Sequence, residues 1–130
     1  MRNIPSSAWF AGLAVIVVAG VIGLAAYKGM GPSVYDDFAE CLADNGVKMY
    51  GAWWCPHCVN QKKLFGSAFQ FVPYVECSPN GSKTFSAPEC VDAKIESTPT
   101  WIFADGTRRT GELSLDALSE KTACPLPSQP

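Results

Sequence analysis

A chain of 130 residues is long enough for one domain and leaves little room for a second. Ten basic against twelve acidic side chains offer no cationic surface for nucleic acid, and a single histidine, His57, excludes most His-based metal and triad sites. Six cysteines are too many for so short a chain in a reducing compartment, and the hydrophobic excess is concentrated at the N-terminal end.

Residues 8–27 carry no charge and, as a helix rising 1.5 Å per residue, would span about 30 Å, the hydrocarbon thickness of a bilayer. Arg2 precedes this run and Asp36, Asp37 and Glu40 follow it, so the positive-inside rule predicts a cytoplasmic segment 1–7, a transmembrane anchor 8–27 and an extracytoplasmic remainder. A cleaved signal peptide is the rival, since Leu24-Ala25-Ala26 is small enough to be cut, and a buried core helix is a third reading. The first two place the following domain in an oxidising compartment, periplasmic or lumenal, where cysteines are disulfide candidates.

A Gly/Pro linker, residues 28–32, leads into a domain predicted over 33–124 with a tail at 125–130. Ser33 and Asp36 form an acidic capping box that predicts a helix from Ser33 to the Asn45-Gly46 stop. Residues 47–52 read as a strand, 55–65 as a helix stopped by Gly66, and 71–76 as a second strand in which Pro73 marks an irregularity or an edge. After a loop at 77–87, Ser86 and Glu89 predict a second capping box and a brief helix to about Lys94. Strands at 100–104 and 107–110 flank Asp105-Gly106, a two-residue hairpin signal, and a final helix ends before Cys124-Pro125. The fold class is therefore α/β, a βαβ half followed by a ββα half.

Cys55-Pro56-His57-Cys58 falls where a strand hands over to a helix. Pro56 suits a first helical turn, and Cys55 then lies at the helix N-terminus, where free N–H groups and the macrodipole favour an anion. A thiolate there has its pKa lowered from about 8.5 into a range of roughly 3.5–7.5, and a protonated or donating His57 acts the same way. Cys58, one turn inward, is the less exposed partner that resolves a mixed disulfide. Half of a zinc site and a purely structural disulfide are the competing readings, although no second CxxC or further histidine supports the first. Trp53 and Trp54 read first as packing residues, with Trp54 also a candidate border of the site. No cofactor or metal signal is present.

A strand running into Trp54-Cys55-Pro56-His57-Cys58, with Thr98-Pro99 before a hairpin, resembles the thioredoxin superfamily. The resemblance implies a thioredoxin-like four-stranded mixed sheet, a cis Pro99, and a Thr98–Pro99 loop that faces the dithiol and positions substrate together with Trp54 and Pro56. An ordinary turn proline is the plain alternative. Over residues 38–124 the segments VKMYGAWWCPHCVNQKKLFG, VPYVECSPNG and STPTWIFADGTRRTGELSLDAL are similar to the thioredoxin-like domain attached to bacterial and plant vitamin K epoxide reductase homologues. That likeness implies exported cysteine-containing proteins as substrates and a quinone-coupled membrane redox partner. Two features depart from ordinary thioredoxins: Met49 stands where they carry a buried acid, and the extra N-terminal strand is missing. The CPHC tetrapeptide is that of strongly oxidising periplasmic disulfide donors.

The related domains carry cysteines at the spacing of Cys77 and Cys90, a pair that would staple the intervening loop for roughly 3 kcal/mol in the chain-entropy model; a second redox relay is the alternative. In a thioredoxin-like path the first and last helices end at one pole, which would bring Cys41 to Cys124, although six cysteines admit fifteen pairings. The expected protein is thus a membrane-anchored thiol–disulfide oxidoreductase with Cys55 as nucleophile, Cys58 as resolving thiol and His57 as tuner, acting as a disulfide donor. A reductase or isomerase on the same fold and a non-catalytic binding module are the alternatives.

Overall fold

The computed structural model describes residues 14–22 and 31–128. The chain divides into two units, 1–31 and 32–130. Of the expected anchor, residues 14–22 are helical and exposed, while the rest of 8–27, the segment 1–7 and most of the linker lie outside the described residues. Among the described residues, no helix is long and apolar enough to cross a membrane.

The second unit follows the order helix, strand, helix, strand, helix, strand, strand, helix: α1 (Asp36–Asp44), β1 (Lys48–Gly51), α2 (Pro56–Phe65), β2 (Tyr74–Glu76), α3 (Pro88–Asp92), β3 (Thr100–Ile102), β4 (Arg108–Thr110) and α4 (Leu115–Thr122). The sheet order is β2-β1-β3-β4, with β1 and β2 parallel and the other two pairs antiparallel. This is a mixed four-stranded sheet whose parallel pair is bridged by α2.

Most boundaries contract relative to the sequence expectation, each for a local reason. Helix α1 starts at Asp36, not Ser33. The Asp36 carboxylate does accept from the Ser33 N–H (2.9 Å), but the Ser33 hydroxyl accepts from Tyr35 N–H, so residues 33–35 form a turn ahead of the helix. Strand β2 begins only at Tyr74, because the chain first makes a 3₁₀ run over Gly66–Phe71 and Pro73 has no N–H to give. Only the Pro73 carbonyl joins the ladder, accepting from Met49 N–H at 2.9 Å, and β2 is an edge strand. The capping box at Ser86 does not form: Ala87 is the N-cap of α3, and Ser86 N–H donates to the Cys77 carbonyl. The hairpin turn has three residues rather than two. Phe103 N–H donates to Thr107 O and Gly106 N–H to Phe103 O, leaving Ala104, Asp105 and Gly106 in the turn, with Gly106 at φ +78°. Ser114 caps α4 through an Oγ that accepts from Ala117 N–H, and the helix ends at Ala123, as the Cys124-Pro125 signal requires.

The two faces of the sheet bury different clusters because side chains alternate along a strand. Met49 and Trp101 face the larger core, built from Phe38 and Leu42 of α1, Phe65 of α2 and Leu118 of α4. Phe65 is its hub, with its ring centroid 6.0 Å from those of Phe38 and Phe69 and 6.3 Å from that of Trp101. Tyr50 faces the smaller cluster, formed with Cys77, Ala87, Cys90 and Ile95 beneath α3. Two disulfides close the periphery. Cys77–Cys90 ties the end of β2 to α3, and Cys41–Cys124 ties α1 to the segment after α4.

A candidate dithiol site

Cys55 and Cys58 are the two free cysteines of the described chain. They sit at the start of α2, with Cys55 as its N-cap and Pro56 in the first turn. No acidic residue lies in that first turn, and Lys62 and Lys63 occupy the last. The positive end of the helix is therefore left for the sulfur. Cys55 N–H donates to the Ala52 carbonyl, which folds the strand end back and fixes the turn.

The Thr98–Pro99 peptide is cis, and Pro99 is fully buried. Its loop lies over the dithiol, where the Cys55 thiol donates to the Thr98 carbonyl across 3.3 Å. Both sulfurs are well covered: Cys55 is 5% exposed and Cys58 1%. Their chemistry nonetheless diverges. Burial acts to push the Cys55 thiol up, but hydrogen bonds from the Thr98 hydroxyl, Cys58 and the His57 backbone outweigh it and hold Cys55 below its ordinary value. Burial dominates at Cys58 and pushes its thiol up to about 11. One turn of helix thus carries one thiol made more acidic than usual and one made less acidic.

The His57 ring lies against Glu112, with Nδ1 2.6 Å from Oε1, and the His57 backbone N–H reaches Cys55. Trp54 lies beside the site, its indole N–H donating to Ser78 Oγ (3.0 Å) and its ring stacked on Phe85. Trp53 is half exposed on the same turn, and its N–H donates to Glu76. Cys77, Cys90, Cys41 and Cys124 are all bonded and stand apart from the dithiol. Among the described residues, no three His, Cys, Asp or Glu side chains cluster as metal ligands. A groove of about 600 Å3, lined by Tyr35, Leu64, Leu115 and Leu126, includes neither thiol.

Sequence reasoning missed four residues around the site. Glu112 partners His57 from 55 positions away, and Gln61 pins the segment carrying it by bonding both N–H and C=O of Leu113 (2.7 and 2.8 Å). Tyr74 and Glu76 line the sheet side, joined by a 2.7 Å hydrogen bond. Only the last pair had a local signal, since two residues apart on a strand project from one face.

The mixed sheet, the strand-to-helix CxxC and the opposing cis-proline loop are consistent with a thioredoxin-like α/β domain. No family model matches the chain. The chain is 47% identical over 87 residues to the thiol-disulfide oxidoreductase LTO1 of Arabidopsis thaliana, a match covering 65% of this chain and 23% of that protein. The chain therefore spans about a quarter of that protein's length.

Proposed function

We propose that the protein is a thiol–disulfide oxidoreductase that uses Cys55 and Cys58, and that it works as a disulfide donor to exported cysteine-containing proteins. The observation that carries the reading is the asymmetry of the two thiols at the start of α2: Cys55 is held below its ordinary pKa while Cys58 is raised. The likeness to LTO1, whose name states this chemistry, supports it. A substrate thiolate attacks Cys55 of the Cys55–Cys58 disulfide, Cys58 leaves, and a second substrate thiol releases the product disulfide while Cys55 departs as a thiolate. Stabilising that thiolate favours the reduced dithiol and so makes the disulfide a stronger oxidant.

The extracytoplasmic setting and the anchor at 8–27 belong to the same proposal, supported by the uncharged run and its flanking charges. A quinone-coupled membrane protein would reoxidise the dithiol. The test is a Cys58→Ser variant of the full chain, expected to accumulate mixed disulfides through Cys55, combined with a glutathione redox titration of the wild type. Absence of adducts would leave a binding module, and a potential near that of thioredoxin, about −270 mV, would reverse the direction of flow.

A further inference from the structure

Three consecutive residues after β4 each bond a different part of the dithiol's surroundings. Gly111 N–H donates to the Pro99 carbonyl at 2.8 Å. Glu112 Oε1 lies 2.6 Å from His57 Nδ1 and accepts from Asn60 Nδ2 at 3.3 Å, so it reaches the first and second turns of α2. Leu113 N–H donates to Gln61 Oε1 (2.7 Å), and its carbonyl accepts from Gln61 Nε2 (2.8 Å). The course is built into the backbone. Gly111 turns the chain out of β4 at φ +98°, a conformation that L side chains rarely adopt, although a Cβ there would meet nothing within 4 Å. Among the described residues, the hydrogen bonds between α2 with its N-cap and the β3–β4 half are those of Glu112 and Leu113 and the Cys55–Thr98 contact itself.

Resting on the oxidoreductase reading, we propose that residues 111–113 form a brace that sets the spacing between the Thr98–Pro99 loop and the start of α2, with Glu112 as a positioning residue for Cys55. The sulfur has partners on both sides of that spacing. On the loop, the Thr98 carbonyl lies 3.3 Å away and the Thr98 hydroxyl also reaches the sulfur; on the helix, the N–H groups of His57 and Cys58 do so. Loop and helix are 43 positions apart in the chain, so tertiary contacts alone hold them together. Hydrogen bonds weaken steeply with poor distance and angle, so a small slip of the helix start against the loop would take donors away from Cys55.

The flanking anchors are a backbone pair at Gly111 and the fully buried Gln61, whereas Glu112 spans the gap with a side chain whose length and charge can be varied separately. The bonds from His57, then Asn60, hold its carboxyl below the ordinary range, so it is ionised at neutral pH. A bare charge effect would act against the brace effect. Deleting a nearby negative charge makes a thiol more acidic, while loosening the brace makes Cys55 less acidic.

The test separates reach from charge in the full chain. Glu112→Asp keeps the charge and shortens the reach; Glu112→Gln keeps the reach and an acceptor oxygen and loses the charge. Two quantities are read: the pH dependence of iodoacetamide alkylation at Cys55, located by mass, and the equilibrium of the dithiol with glutathione. In Glu112→Asp the alkylation midpoint is expected to rise by roughly 0.5–1 pH unit. Its glutathione equilibrium is expected to shift toward the protein disulfide by up to about tenfold, or about 30 mV. Glu112→Gln is expected to stay close to wild type in both. Wild-type values in Glu112→Asp overturn the brace, and so does Glu112→Gln displaced as far as Glu112→Asp. Should Glu112→Asp fail to fold in a thermal melt, Glu112→Ala carries the same comparison with Glu112→Gln. A wild type whose Cys55 has an ordinary thiol midpoint and whose dithiol does not equilibrate with glutathione overturns the oxidoreductase reading and the brace with it. A wild type with a lowered midpoint, matched by every variant, overturns the brace alone.

Discussion

His57 Nδ1 lies 2.6 Å from Glu112 Oε1, so the histidine of the CxxC turn is paired with a carboxylate from the β4–α4 connection. The contact joins the start of α2 to a segment 55 residues later in the chain. Because the imidazole is 66% exposed, the pair is a surface one and its worth is small.

Its pH signature is specific. The bond from His57, then that from Asn60, holds the Glu112 carboxyl below its ordinary range. A carboxyl lowered by folding stabilises the fold above its unfolded value and loses that contribution as the pH falls through the lowered one. Glu112→Gln is therefore expected to lower Tm slightly at about pH 6, with the two curves converging as acid protonates Glu112. Thermal melts across that range check it; a gap unchanged into strong acid would contradict the assignment.

Gln61 is fully buried and uses its whole amide on Leu113, donating from Nε2 to the carbonyl and accepting at Oε1 from the N–H. Leucine at this position would fill similar space but leave both backbone groups without partners. Each costs about 1–3 kcal/mol, so Gln61→Leu is expected to lose roughly 2–4 kcal/mol in guanidinium unfolding. A loss under about 0.5 kcal/mol would mean that Leu113 finds other partners.

The two disulfides close loops of very different length, 13 residues apart for Cys77–Cys90 and 83 for Cys41–Cys124. Chain entropy then ranks them. Replacing Cys77 and Cys90 by alanine is expected to cost about 3 kcal/mol, and replacing Cys41 and Cys124 about 4–5 kcal/mol. Denaturant titration of the two double variants measures the order directly. The reverse order would show that packing around the cysteines, not loop closure, sets their contribution.

How much of this was readable in advance depends on sequence distance. Element order and type were legible because periodicity and punctuation act locally: Gly66 stops α2 at φ +58°, and Ser114 caps α4 with its own hydroxyl. Boundaries were less so, since Ser33 and Ser86 both sit in capping patterns yet spend their groups elsewhere. The hairpin lengthened by one residue because Phe103 pairs with Thr107, a choice that neither side of Asp105-Gly106 announces.

From its residues alone the chain declares a dithiol at a helix start, since strand, cysteine, proline and helix are neighbours and the electrostatics of a helix end need nothing further. Which groups surround each sulfur is another matter. Thr98 reaches Cys55 from 43 positions away, and Tyr74 and Cys58 come to flank Gly51 only because β2 pairs with β1 in the register that sets Met49 against Tyr74 and Gly51 against Glu76. Strand order and register are settled by burying one face of the whole sheet at once, a collective energy that no local window of sequence contains.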